Sequence, residues 1–150
     1  MSKRINLGSS PPGLFPAMLE LEQRMSAAVA AAGIADGFAH LLRLRASQIN
    51  KCAYCVRMHA RDALASGESA DRLALVAAWE EAGCFDARER AALALVEAIT
   101  LVAVDQVPDA VYAQAVAVLS GEEIAAVEWL AVVINAWNRI AIAGRTPVEP

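Results

Sequence analysis

The chain has 150 residues, 57% of them hydrophobic but only 5% aromatic, so alanine, valine and leucine supply most of the apolar surface. A chain of this length buries roughly 70% of the surface its unfolded form exposes, enough for one core without a disulfide framework or structural metal. Thirteen basic and seventeen acidic residues leave a net charge of −4, and no Lys/Arg cluster is present to follow a phosphate backbone, which argues against a nucleic-acid partner.

Mean hydropathy is +0.40, yet no segment offers the ~18–20 uninterrupted apolar residues that a bilayer span needs. Glu97 interrupts one candidate run, and Glu128, Asn135, Asn138 and Arg139 interrupt the other. The stretch before Phe15 holds Gly8, Ser9, Ser10 and Pro11-Pro12 in place of the apolar centre of a signal peptide. These features predict a cytoplasmic protein with no membrane contact. Apolar excess without a span points to surface covered by further copies of the chain, hence a homo-oligomer.

The chain reads as an N-terminal arm over residues 1–15 and one all-α domain of about seven helices over residues 16–150. Pro16 opens the first helix, which runs through Leu19, Leu21 and Met25 to a stop at Gly33. Asp36 starts the second, with Phe38, Leu41, Leu42, Leu44 and Ile49 as its apolar stripe. The third begins near Asn50 and ends at Gly67, where glycine fits the left-handed C-terminal position. Ser69 caps a fourth that carries Leu73, Val76 and Trp79 to Gly83. Asp86 with Glu89, and Ser120 with Glu123, have capping-box spacing and open helices five and seven. Pro108, as a first helical residue, opens the sixth. The last helix, from about Glu122 to Ala143, is the longest and most apolar, with Gly144 as its stop.

The segment Cys52-Ala53-Tyr54-Cys55-Val56-Arg57-Met58-His59 carries the chemistry. With Asn50 as the cap, both cysteines fall at a helix start, where backbone N–H groups and the helix dipole favour a thiolate. Positions i and i+3 bring the Cβ atoms within about 5–6 Å, a separation that a modest adjustment closes into a disulfide. His59 stands four residues after Cys55 on the same face. There it can take the thiol proton or, once protonated, stabilise the thiolate. The spacing leaves open which cysteine attacks. A zinc reading would use Cys52, Cys55 and His59 and would need Cys84 or His40 as its fourth ligand. A thioredoxin fold is excluded, because nothing upstream of Cys52 reads as a strand.

The run Leu42-Arg43-Leu44-Arg45-Ala46-Ser47-Gln48-Ile49-Asn50-Lys51-Cys52-Ala53-Tyr54-Cys55, with Met58-His59, resembles the core of the alkylhydroperoxidase AhpD-like group of the carboxymuconolactone decarboxylase family. The resemblance continues through Ala78-Trp79-Glu80-Glu81, the stretch from Phe85 to Thr100, and Asn135-Ala136-Trp137-Asn138-Arg139. It implies an all-helical fold assembled as trimers or hexamers, and thiol-dependent reduction of hydroperoxides with no bound cofactor or metal and an external dithiol as electron donor. The decarboxylase branch lacks the redox Cys-x-x-Cys. By position, the resemblance makes Cys55 the peroxidatic thiol, Cys52 the resolving thiol and His59 the assisting histidine. Two positions depart from the pattern: His40 stands where a relay carboxylate belongs, and Tyr54 where a histidine sits between the cysteines. His40 is therefore a fourth candidate site residue. The alternative reading of the same residues is a non-catalytic redox-sensing or metal-binding oligomer.

Cys84 reads as a bystander thiol packed as a small hydrophobe. The tryptophans Trp79, Trp129 and Trp137 read as core or interface anchors, and Arg45 and Glu81 as structural ion-pair residues.

Overall fold

The computed structural model describes residues 4–149, which form helices and turns with no strand among them. In chain order the helices are α1 (Leu14–Ala31), α2 (Asp36–Ile49), α3 (Ala53–Ala65), α4 (Ala70–Leu75), α5 (Ala87–Thr100), α6 (Val102–Asp105), α7 (Asp109–Val118) and α8 (Gly121–Gly144). The all-α reading holds. The helix absent from the sequence-based set is α6, a single turn that follows the break at Leu101, too short to leave an apolar stripe.

Local chemistry sets most of the ends. Both capping boxes form: the Asp86 and Ser120 side chains accept the backbone N–H groups of Glu89 and Glu123, whose carboxylates reach back to the cap N–H. Such caps contribute about 1 kcal/mol each. Gly33 and Gly67 follow the C-caps of α1 and α3 with φ of 79° and 94°, a region that a side chain would strain. Other expected ends shift. Pro16 lies inside the first turn of α1, Pro108 is the N-cap of α7 rather than its first residue, and Arg145, not Gly144, takes the left-handed position after α8. The fourth helix stops at Leu75 and tightens into a 3₁₀ turn over Val76–Ala78 before reaching Gly83.

The core forms where α2, α5 and α8 meet, with Leu41, Leu42, Leu44, Leu93, Leu95, Val96, Val127, Leu130 and Val133 closed to solvent. Burial of each leucine contributes about 1.5–3 kcal/mol. By length and composition α8 could cross a membrane, despite the polar residues that interrupt it; half of its apolar window is buried inside the fold, where it packs on α1, α2 and α5. Its polar residues are part of that packing. Asn138 is fully buried, donates to Ser47 Oγ at 3.0 Å and accepts from Asn50 Nδ2 at 2.9 Å; Asn135 accepts from the same Asn50 amide at 2.9 Å and donates to Thr100 Oγ1 at 3.0 Å. Satisfied on every side, this cluster pins the bend between α2 and α3 onto α8.

Arg45 pairs with Glu97, which also accepts from Trp79 Nε1 at 2.9 Å, so the ion pair under the core is made with Glu97; Glu81 is exposed. Trp79 is a core residue as expected, whereas Trp129 is 55% exposed on α8.

Candidate active site

The bend pinned by Asn50 delivers the cysteines. Asn50 is the C-cap of α2, not the cap of α3; Lys51 follows in the left-handed region with φ 58°, and Cys52 is itself the N-cap of α3. Cys52 Sγ accepts the backbone N–H of Cys55 at 3.4 Å. The two residues, with Cα atoms 5.3 Å apart, are joined as a disulfide, and each is 2% exposed. They differ in what they face. Cys55 lines a cavity of about 400 Å³, and Cys52 is not among its lining residues.

The cavity wall is apolar on the side of α1 and α8, from Phe15, Leu19, Ile134, Trp137 and Ile140, with Tyr54 and Met58 of α3 beside Cys55. Glu22, His40, His59 and Asp62 form its polar side. Trp137 packs against the core, as expected, and is also a wall of the cavity. Its ring packs edge-on against Phe15 with centroids 5.3 Å apart, and its Nε1 donates to Glu22 Oε2 at 3.0 Å.

His40 and His59 meet through their Nδ1 atoms at 3.2 Å, and His40 Nε2 faces Asp36 Oδ1 at 3.9 Å. A proton on His40 Nε2, toward that carboxylate, leaves His40 Nδ1 as an acceptor. His59 Nδ1–H then donates to it, and His59 Nε2 carries a bare lone pair. That Nε2 is buried and has no hydrogen-bond partner among the described residues. Burial, followed by the charge of Arg43 and by His40, pushes the His59 pKa down to about 3. Burial and Arg43 lower that of His40, with Asp36, Asp62 and Glu22 opposing. His59 is thus a neutral imidazole in the disulfide form. A thiolate at Cys55 would pull in the other direction.

This burial has a measurable cost in acid. The folded pKa lies below the unfolded value of about 6.5, so the unfolded chain binds more protons between the two, and stability is lost as pH falls from 6.5 toward 3. Between pH 7.5 and 4.5 the disulfide form should lose about 2–3 kcal/mol more than its His59→Leu variant. Urea unfolding at the two pH values checks this; equal losses would mean that His59 is protonated in the fold.

Sequence reasoning missed two residues of the polar side, Glu22 and Asp62, and Arg43, which pairs with Glu22. Glu22 Oε1 accepts from Arg43 Nη2 at 3.3 Å and from Ser26 Oγ at 3.2 Å, which makes it the hub between α1, α2 and Trp137. Arg43 is only 4% exposed within the run Leu41-Leu42-Arg43-Leu44, and a buried guanidinium in such a stripe was the available signal that a carboxylate must meet it. Asp62 sits three residues after His59 on the same face of α3. Cys84 is exposed and is not among the residues that line the cavity, so it is not a packed hydrophobe.

The sequence profile of the carboxymuconolactone decarboxylase family matches residues 16–98, which include α2, the Cys-x-x-Cys turn, His59 and all but the start of α1. The chain belongs to this family. Among its relatives, the uncharacterised protein YdfG of Bacillus subtilis (strain 168) is 33% identical over 143 residues, covering 95% of each chain. A crystal structure from Agrobacterium tumefaciens superposes with a TM-score of 0.87 at 37% identity, over 99% of this chain and 100% of that one. That protein is described as of unknown function and as a candidate AhpD antioxidant defence protein. Within the carboxymuconolactone decarboxylase family the chain is thus AhpD-like, as its Cys-x-x-Cys suggested.

Proposed function

We propose that the protein is a thiol peroxidase that reduces hydroperoxides through Cys55 and Cys52. One observation carries this reading: of the two cysteines, Cys55 alone lines an apolar cavity, and it does so beside a histidine whose Nε2 is buried without a partner.

In the reduced enzyme His59 Nε2 accepts the Cys55 thiol proton. The thiolate attacks the distal oxygen of the hydroperoxide, the O–O bond breaks, and the alcohol leaves with the proton returned by His59. Cys55 is left as a sulfenic acid. Cys52 Sγ then attacks the Cys55 sulfur and water leaves, which forms the disulfide. An external dithiol reduces it by exchange and is itself oxidised to its disulfide. Because His59 Nδ1–H meets His40 Nδ1, and His40 Nε2 faces Asp36, the histidine pair also offers a path from the buried base to an exposed carboxylate. His40 thereby stands in for the relay carboxylate of the family pattern.

Repeated reduction of the disulfide suits the cytoplasm, where dithiol donors are kept reduced. The same reading includes a homo-oligomer, for Trp129 and Val132 stand 55% and 50% exposed on the outer face of α8.

The test is hydroperoxide consumption by the wild type with a panel of dithiol donors, using hydrogen peroxide and a bulky organic peroxide. The expected result is many turnovers per chain, faster with the organic peroxide because the cavity is apolar. Stoichiometric oxidation that stops after one equivalent, with every donor, would instead make the protein a redox sensor.

A further inference from the structure

We propose that His40, His59 and Asp62 form a binding site for a divalent transition-metal ion, and that the ion switches the thiol chemistry off: bound at His59 Nδ1, it leaves the ring's proton on Nε2, the atom that takes the thiol proton. The second clause rests on the peroxidase reading; the first does not.

One ligand atom from each of the three residues falls within 4.8 Å of the others. The two Nδ1 atoms are 3.2 Å apart. A tetrahedral zinc ion with Zn–N bonds of about 2.0–2.1 Å holds two nitrogen ligands about 3.3–3.4 Å apart, so an ion can replace the shared proton with little movement of either ring. The two rings come from adjacent helices, α2 and α3, and cannot both carry a proton on the facing nitrogen. Asp62, one turn after His59, brings a carboxylate that takes part in no hydrogen bond or ion pair among the described residues.

The charges around the cluster suit a cation. Glu22, Asp36 and Asp62 lie close by, and the one nearby cation among the described residues, Arg43, is already engaged by Glu22. Two imidazoles and one carboxylate, all from residues that line the cavity, leave one position of a tetrahedral ion for water, an arrangement suited to zinc. This set differs from a Cys-x-x-Cys zinc site in needing no sulfur at all.

That difference sets the experiment. In a Cys52→Ser/Cys55→Ser/Cys84→Ser variant no thiol remains, and Zn²⁺ is titrated against a chromophoric chelator. One ion per chain is expected, and His40→Ala or Asp62→Asn in this background should weaken binding by roughly 10-fold or more, with far-UV circular dichroism unchanged. No binding at 100-fold molar excess of Zn²⁺, or binding that both substitutions leave unchanged, would overturn the site. Wild-type hydroperoxide consumption should be inhibited by Zn²⁺ and restored by a chelator. Binding without inhibition would overturn the switch. An inactive wild type that binds Zn²⁺ would sink the peroxidase reading and the switch with it while supporting the site.

Discussion

Cys55→Ser should abolish hydroperoxide reduction, whereas Cys52→Ser should still reduce one equivalent per chain and then stop at the sulfenic acid. The asymmetry follows from placement. Both sulfurs sit in the first turn of α3, where the helix end favours a thiolate, but only Cys55 lines the cavity and only Cys55 has His59 one turn on. Cys52 Sγ instead accepts the Cys55 N–H at the N-cap, a position that stabilises negative charge on Cys52 when an external dithiol attacks the disulfide. It is thus suited to resolve and to leave. Rapid-mixing measurements of peroxide loss, with a sulfenic-acid trap and mass spectrometry, separate the two variants. A Cys55→Ser protein that still forms a sulfenic acid would reassign the attack to Cys52.

His59→Gln should slow Cys55 oxidation at pH 7 by roughly 10²–10⁴-fold, the range for loss of a positioned general base; His40→Gln should slow it less, by about 10-fold. Glutamine keeps a polar group near the histidine position but takes no proton. While the Cys55 thiol is protonated, the same burial and the same Arg43 charge that push the His59 pKa down to about 3 in the disulfide form still act on the ring, so the wild-type rate should show no inflection near 6.5 from it. The variant should recover as pH passes the ordinary thiol value of about 8.5, where Cys55 ionises unaided. A purely structural role for His59 would lower the rate equally at every pH. Equal profiles for wild type and both variants would leave the start of α3 as the sole activator of the thiol.

What could be read before folding, and what could not, divides along physical lines. Cys52, Cys55 and His59 lie within one helix, where spacing in sequence is spacing in space, and the capping residues report on the backbone immediately beside them. His40 came from positional resemblance alone. Its Nδ1 contact with His59 crosses between α2 and α3, as does its closeness to Asp62. Glu22 was still less accessible. It reaches Arg43 and Trp137 because α1 packs across α2 and α8, joining residues separated by up to 115 positions. The cap assigned to Asn50 failed for a related reason, since its amide is bonded by α8 and is not free to cap α3.

The cavity is assembled from two ends of the chain. The reactive thiol and its histidines come from α2 and α3, while the surface opposite them comes from the start of α1 and from the end of α8 with Thr146. Reactivity and selectivity are consequently inherited separately. Drift at Phe15, Leu19, Trp137 or Ile140 can widen, narrow or polarise the chamber while the sulfur pair and its base keep their geometry. Relatives that share the Cys-x-x-Cys turn are therefore free to diverge in the peroxides they admit, and the first and last helices are where that divergence would be written.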